Sequence, residues 1–383
     1  MRAGPKPRSL LENCTRARFY GAFVASSADL EYDSLMARRD GEKSGTDRES
    51  WLESNRLAVE RRLAPLRSKG DGVISVEPAG PHFVVIVKSG SRLRMLLVEQ
   101  VAPRSDLTQA HLDLDHPFYL VAPYTQAMTL GLLWSRDVRR IYAAGLGGGR
   151  LPMVLHHFLP AAEIDCAEIE PAVQRAAERF FGLRPDERLR VAIEDGREWL
   201  ARPEDERPYD LMLVDAFLDN NYTPYRLATQ EFFELAQSRL SADGVLVVNL
   251  LSCDPYIADK IATARAVFPG LALCPAGEEN QVLFASPAPI PARTELAERA
   301  AALQDACRFP FPFADWVDAL ELEIPGKADV AVLRDAAPPP NYFDSLPSFD
   351  GAFSRTEPRL PCPCGSGRRF VACHGAPAAR EEQ

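Results

Sequence analysis

The chain has 383 residues, 46% of them hydrophobic and 26% charged, which is enough material for two or three compact units with real cores. Its 44 Lys and Arg against 54 Asp and Glu give a net charge of −10, which argues against a general nucleic-acid footprint and fits cationic ligands or solubility. No apolar run approaches the roughly 20 residues that cross a bilayer, and the opening stretch MRAGPKPRSLLENC has no secretory apolar region, so a cytoplasmic protein without a membrane partner is expected.

Residues 1–70 read as a charged, partly helical extension in which WLESNRLAVERRLAPL carries the helical period. Over 71–125 three β-rich runs, GVISVEP, HFVVIVKSG and RLRMLLVEQV, are separated by turn signals and predict a small antiparallel β subdomain. A polar stretch and the helical YTQAMTLGLLW lead into 126–285, where RRIYAAG, EIDCAEIE, LRVAIED, DLMLVDAF and VLVVNLL alternate with helical segments. Apolar runs of that length predict a parallel sheet covered on both faces, an α/β doubly wound domain. GLALC and QVLFAS follow with short connections, closing a seven-stranded sheet as an antiparallel pair. Residues 286–354 read as two helices, around TELAERAAALQDAC and FADWVDALELE, followed by a Pro-rich linker, and 355–383 as a cysteine knuckle. Cys14, Cys166, Cys253, Cys274 and Cys307 are scattered and are expected to be reduced core thiols.

The chemistry concentrates at strand ends. In AAGLGGGRLP, Gly145, Gly147, Gly148 and Gly149 lie between a strand and a helix, where glycine lets the backbone turn sharply and approach a ligand. About 20 residues on, the next strand delivers Glu168, a carboxylate suited to accept ribose hydroxyls. The third strand ends in Asp195-Gly196, suited to an adenine amino group, and the fourth in Asp215. All fall at one edge of the sheet, the crevice in which open α/β sheets bind ligands.

Gly145–Arg150, Glu168-Ile-Glu170, Asp195-Gly196, Tyr209–Asp215 and the segment from Pro224 through Glu231 together resemble the spermidine synthase-like family, with its class I methyltransferase-like fold, over about residues 75–285. Gln109, Asp115-His116-Pro117 and Tyr124 resemble that family's substrate-facing segment. The resemblance implies that Glu168 holds the ribose and Asp195 the adenine of decarboxylated S-adenosylmethionine, S-adenosylmethionine or their thioether products. It also makes Asp215 the catalytic aspartate, and allows a homodimer. A carboxylate there suits the chemistry, since a sulfonium alkyl group is already activated and the enzyme needs a neutral amine nucleophile in line with the C–S bond. Two places depart from the family. Arg150 stands where an aspartate follows the glycines, and either faces inward, favouring the carboxylate of intact S-adenosylmethionine, or points to solvent. Beyond Asp215 the chain reads Ala-Phe-Leu-Asp219-Asn-Asn-Tyr-Thr-Pro224 instead of the polyamine gate, so Asp219 is either a second cation-binding acid or a solvated loop acid. The reading is therefore a transferase acting on a small-molecule amine, with a methyltransferase or a non-catalytic nucleotide-sensing scaffold as alternatives.

Cys362, Cys364, Cys373 and His374 provide three thiols and an imidazole around a Gly-Ser-Gly turn, a full tetrahedral set for structural zinc. The pattern resembles the SEC-C motif, a zinc-binding interaction module, which implies a protein partner. His156 and His157 lack ligand neighbours and are expected on the surface or in packing; His116 is a candidate to face the acceptor.

Overall fold

The computed structural model describes residues 47–99, 106–202, 207–217, 223–277, 279–336 and 338. Asp219 and the four cysteine-knuckle ligands lie outside these residues. The first element is a helix, α1 (Asp47–Arg67), which buries Val59, Leu63 and Leu66, the three- and four-residue spacing of one helical face. Four strands follow as a meander, β1 (Gly72–Ala79), β2 (His82–Ser89), β3 (Arg92–Glu99) and β4 (Asp106–Asp113), all antiparallel in the order β1-β2-β3-β4. Along β2 every second residue is buried, as expected of a sheet with one solvated face. The fourth strand corrects the sequence reading, in which Asp-Leu-Thr-Gln-Ala-His-Leu-Asp was a polar connection. Among its described side chains Ala110 and Leu112 carry the buried apolar face, and polar residues interrupt any alternating run.

A short helix α2 (Pro123–Met128) and a 3₁₀ turn (Thr129–Leu133) lead into the large sheet. Its parallel strands are β5 (Arg140–Ala144), β6 (Glu163–Glu168), β7 (Leu189–Ile193), β8 (Tyr209–Val214) and β9 (Leu240–Leu251), joined by β10 (Gly270–Ala276) and β11 (Asn280–Ser286). The order is β10-β11-β9-β8-β5-β6-β7, with β11 antiparallel to both neighbours. Alternate residues split between two cores. Ile141, Ala143, Leu211, Leu213, Val245 and Val247 face one, Tyr142, Ala144, Met212, Val214, Leu246 and Val248 the other. Both faces are dry, which is why these strands read as continuous apolar runs. Helices α3 (Arg150–Phe158) and α4 (Pro171–Phe180) pack on the first face, and α5 (Gly196–Leu200), α6 (Gln230–Arg239) and α7 (Ile257–Val267) on the second.

Helix α8 (Arg293–Cys307) lies on the core through Leu296 and Ala300, and Arg299 donates to the carbonyls of Leu133 and Trp134. The second helix expected over 313–323 is instead one 3₁₀ turn, Ala314–Val317. The carbonyls of Val317 and Leu320 are bonded to the Arg293 guanidinium and Glu321 forms a bridge with Leu273 at the sheet edge, so the backbone groups a helix needs are used elsewhere. Cys166, Cys274 and Cys307 are buried, as expected, but Cys253 is exposed. No helix among the described residues is long and apolar enough to cross a membrane.

Candidate active site

The carboxyl ends of β5, β6, β7 and β8 meet in one crevice. At Gly145, φ is 90° and a Cβ would stand 2.4 Å from the Asp215 carbonyl oxygen, so only glycine lets the β5 and β8 ends approach this closely. At Gly147, φ is 50° and a Cβ would stand 2.9 Å from the Gln109 carbonyl. Gly148 and Gly149 press on Ala110 and Leu183, and Gly149 is the N-cap residue that precedes α3. The loop is thereby wedged between β4 and the strand ends, and β4 places Gln109, half-buried, beside it.

Glu168 ties β6 to this loop. Its Oε2 accepts from Leu146 N–H at 3.0 Å and its Oε1 from Glu170 N–H at 2.9 Å. Burial pushes its carboxyl up, and the N–H groups of Glu170, Leu146 and Ile169 pull it back. Asp195 uses Oδ1 to cap α5, accepting from Arg197 and Glu198 N–H, while the Gly196 carbonyl accepts from Tyr142 Oη at 2.7 Å. A capping duty and a ligand duty are compatible, because a carboxylate offers about four lone-pair sites.

Asp215, just past β8, is partly buried. Its Oδ1 accepts from Asn249 Nδ2 at 2.9 Å, and it is hydrogen-bonded to the Tyr124 hydroxyl. Burial pushes its carboxyl up to about 6, against the lowering effect of those two donors. Tyr124 is itself raised, by burial and then by the adjacent Asp215. Its helix α2 is fixed from both sides: Gln126 Nε2 donates to the Leu120 carbonyl at 2.7 Å and Trp316 Nε1 to Gln126 Oε1 at 3.1 Å. Asn249 escaped the sequence reading, although an asparagine interrupting Val-Leu-Val-Val-Asn-Leu-Leu is the signal that marks it.

The remaining candidates lie apart from this centre. Arg150 faces neither solvent nor the crevice. It is buried, donating to the carbonyls of Phe181, at 3.0 Å, and Pro117, and burial lowers it to about 9. Neither of the two orientations left open by the sequence, toward the cofactor or toward solvent, is adopted, because the guanidinium is turned into the core. His116 pairs with Asp113 at 3.2 Å. His156 and His157 are packing residues, both buried. Among the described residues no group of three or more His, Cys, Asp or Glu is placed to hold a metal.

Residues 360–376 match the SEC-C motif. A polyamine aminopropyltransferase of Vibrio vulnificus (strain CMCP6) is 32% identical over 225 residues, covering 58% of this chain and 75% of the relative. The eEF1A lysine and N-terminal methyltransferase of Mus musculus is 31% identical over 210 residues, 50% of this chain but 30% of that much longer protein. Among solved structures, human methyltransferase-like protein 13 in complex with SAH is 29% identical, covers 56% of this chain and 100% of that one, and has a TM-score of 0.46.

Proposed function

The chain belongs to the polyamine aminopropyltransferase family, and from that premise we propose that it moves an alkyl group, the aminopropyl chain of decarboxylated S-adenosylmethionine, from an S-adenosyl sulfonium donor to a small-molecule amine. The observation that carries the reading is the Asp215–Tyr124 pair, partly buried at the carboxyl end of β8 against the glycine loop. In the proposed site Gly145, Gly147, Gly148 and Gly149 let the loop approach the donor, Glu168 accepts from the ribose hydroxyls, and Asp195 with Gly196 meets the adenine. Gln109, Tyr124 and Asp219 face the acceptor.

The donor supplies an electrophilic carbon next to a positive sulfur; the chain's task is to deliver an uncharged amine. Asp215 receives the acceptor as an ammonium and takes its proton. The nitrogen lone pair then forms the N–C bond as the C–S bond breaks, leaving a neutral thioether and a proton that Asp215 passes to water. A carboxyl near 6 is ionised at neutral pH yet more basic than an ordinary aspartate, which suits a group that must gain a proton in one step and lose it in the next.

Methyl transfer from intact S-adenosylmethionine is the second reading. Its support is the 31% identity to a protein methyltransferase and the absence of any acid in Gly145–Arg150 to hold an aminopropyl ammonium. Calorimetric titration with decarboxylated and intact S-adenosylmethionine, each followed by mass analysis of amine products, separates them: preference for the decarboxylated donor supports aminopropyl transfer, and preference for the intact one supports methylation. Binding of neither sinks both and leaves the scaffold. At the C-terminus, Cys362, Cys364, Cys373 and His374 form a soft four-donor set that fits a structural zinc with no position left for substrate, within a module for a protein partner.

A further inference from the structure

Asn249 is 1% exposed near the carboxyl end of strand β9, among Val248, Leu250 and Leu251, where a carboxamide is costly unless both of its ends are bonded. The strand register shows what bonds them. Val214 pairs with Val248 in parallel, so the next residue on each strand places Asp215 beside Asn249. Across the antiparallel pair, Leu251 faces Asn280, which brings Asn280 diagonally onto Asn249. Asn249 Nδ2 donates to Asp215 Oδ1 at 2.9 Å and Asn280 Nδ2 donates to Asn249 Oδ1 at 2.9 Å. An ionised carboxylate only accepts, so Asn249 must present its amino end to Asp215. Its carbonyl end must then take a donor, and Asn280 provides one. The direction of the relay is therefore fixed by chemistry, and bonds aligned in this way polarise one another.

We propose that Asn249 and Asn280 are positioning residues for the transfer reaction, holding the Asp215 side chain ionised and in a single orientation without touching substrate; this rests on Asp215 serving as the base. Of the elements packed around that carboxylate, the glycine loop brings backbone, β9 and β11 bring the two neutral amides, and α2 brings Tyr124, which among the described residues is the titratable group acting on it. Donors to the ionised form favour it. Removing the amide therefore raises the Asp215 carboxyl further above its position near 6.

The test uses the full-length protein and three variants, Asn249→Leu, Asn280→Ala and the isosteric Asn280→Asp. In the last, the new carboxylate draws the Asn249 amino end to itself and turns the amide oxygen on Asp215. The Asp215 carboxyl is followed by carbon-13 NMR titration, assigned by its loss in Asp215→Asn. Asn249→Leu and Asn280→Asp move its midpoint up by about one unit and Asn280→Ala by less. The acidic limb of the kcat profile moves with it, so the activity ratio of wild type to Asn249→Leu is about tenfold larger at pH 5 than at pH 8.5. An unmoved carboxyl midpoint, or a loss of kcat equal at every pH, overturns the inference and leaves the asparagines as packing. Because the titration needs no turnover, it decides whether the two amides hold the Asp215 carboxylate ionised even if the wild type transfers neither alkyl group. That outcome overturns the reaction proposed above, and with it the catalytic purpose of the relay, but not the relay's hold on the carboxylate.

Discussion

Asp215 sits where its environment and its proposed duty pull in opposite directions: burial disfavours its charge, yet an amine acceptor needs that charge. Its folded-state position near 6 lies above the ordinary 3.8, so folding favours the protonated form. The ionised carboxylate therefore costs stability in full above about pH 6; the cost shrinks as pH falls from 6 toward 4 and is absent below about 4. Asp215→Asn keeps an acceptor for Asn249 while removing the charge. It raises stability by about 1–2 kcal/mol at neutral pH, allowing for partial exposure, with little gain near pH 4, while kcat falls by about 10² or more and donor affinity stays within a few-fold. Thermal melts at the two pH values check the first part; comparable loss of donor binding would place Asp215 in the nucleotide pocket instead. Glu168 behaves differently, because both of its oxygens already accept backbone N–H groups of the loop and the strand end. Glu168→Ala weakens the donor by about 1.5–3 kcal/mol, measured as calorimetric affinity for the thioether product; unchanged affinity means that another group holds the ribose.

Among the elements, α1 shows best what docking adds to a helix. Trp51 Nε1 donates to the His157 carbonyl at 3.1 Å, Arg188 stacks over the Trp51 ring at 4.4 Å, and Asn55 Nδ2 lies 3.0 Å from His157 Nδ1. An amide nitrogen only donates, so His157 must accept at Nδ1 and be neutral. Burial, then the nearby His156, Arg48 and Arg56, lower it to about 3. The depressed value means that the stability it supports is full above the ordinary 6.5 and is lost progressively as pH falls from there toward 3. Near pH 4.5 the loss is on the order of 2 kcal/mol, and His157→Leu flattens that part of the stability profile; an acid limb identical in the two proteins would refute the assignment. None of this was legible beforehand: the period in residues 51–66 announced a helix, but its partner lies about a hundred residues away. The seven-stranded sheet was legible because strands buried on both faces must be apolar throughout, and the glycine loop because close approach leaves few other residues. Strand β4 and the turn at Ala314–Val317 were not, since one is half polar and the other is broken by the Arg293 guanidinium, a tertiary contact. Asp215 stood out as an acid ending an apolar strand, whereas Asn249 acquires meaning only once the strand register sets it beside that acid.

Across the chain, the segment after α8 is a strap rather than a free linker. Ala331 N–H donates to Asp259 Oδ1 at 2.6 Å, Leu333 N–H to Thr263 Oγ1 at 2.9 Å, and the Leu333 carbonyl accepts from Gln230 N–H at 2.8 Å. Leu333 is fully buried, and Asp335 grips Arg197 at 2.7 and 2.5 Å, one residue from Asp195-Gly196. The strap therefore belongs to the folded core as far as Asp335. The Pro-rich stretch and knuckle beyond it are expected to form a separate unit, because fewer than about 30 residues cannot build a stable apolar core and metal ligation must supply the folding free energy. Two shortened chains separate the two roles. Removing residues from Arg355 onward is expected to leave core stability and donor affinity at wild-type values and to abolish zinc content, for which the proposed ligand set predicts one ion per chain in the intact protein. Removing residues from about Gly326 onward also strips Leu333, its backbone bonds and the Asp335–Arg197 pair, and lowers core stability by about 3–5 kcal/mol, with donor affinity falling as α5 loses its tether. Denaturant titration and metal analysis on the three lengths read these outcomes. Absence of zinc in the intact protein refutes the ligand set, and a knuckle-less chain that binds donor normally but has no turnover shows that the C-terminal unit takes part in catalysis.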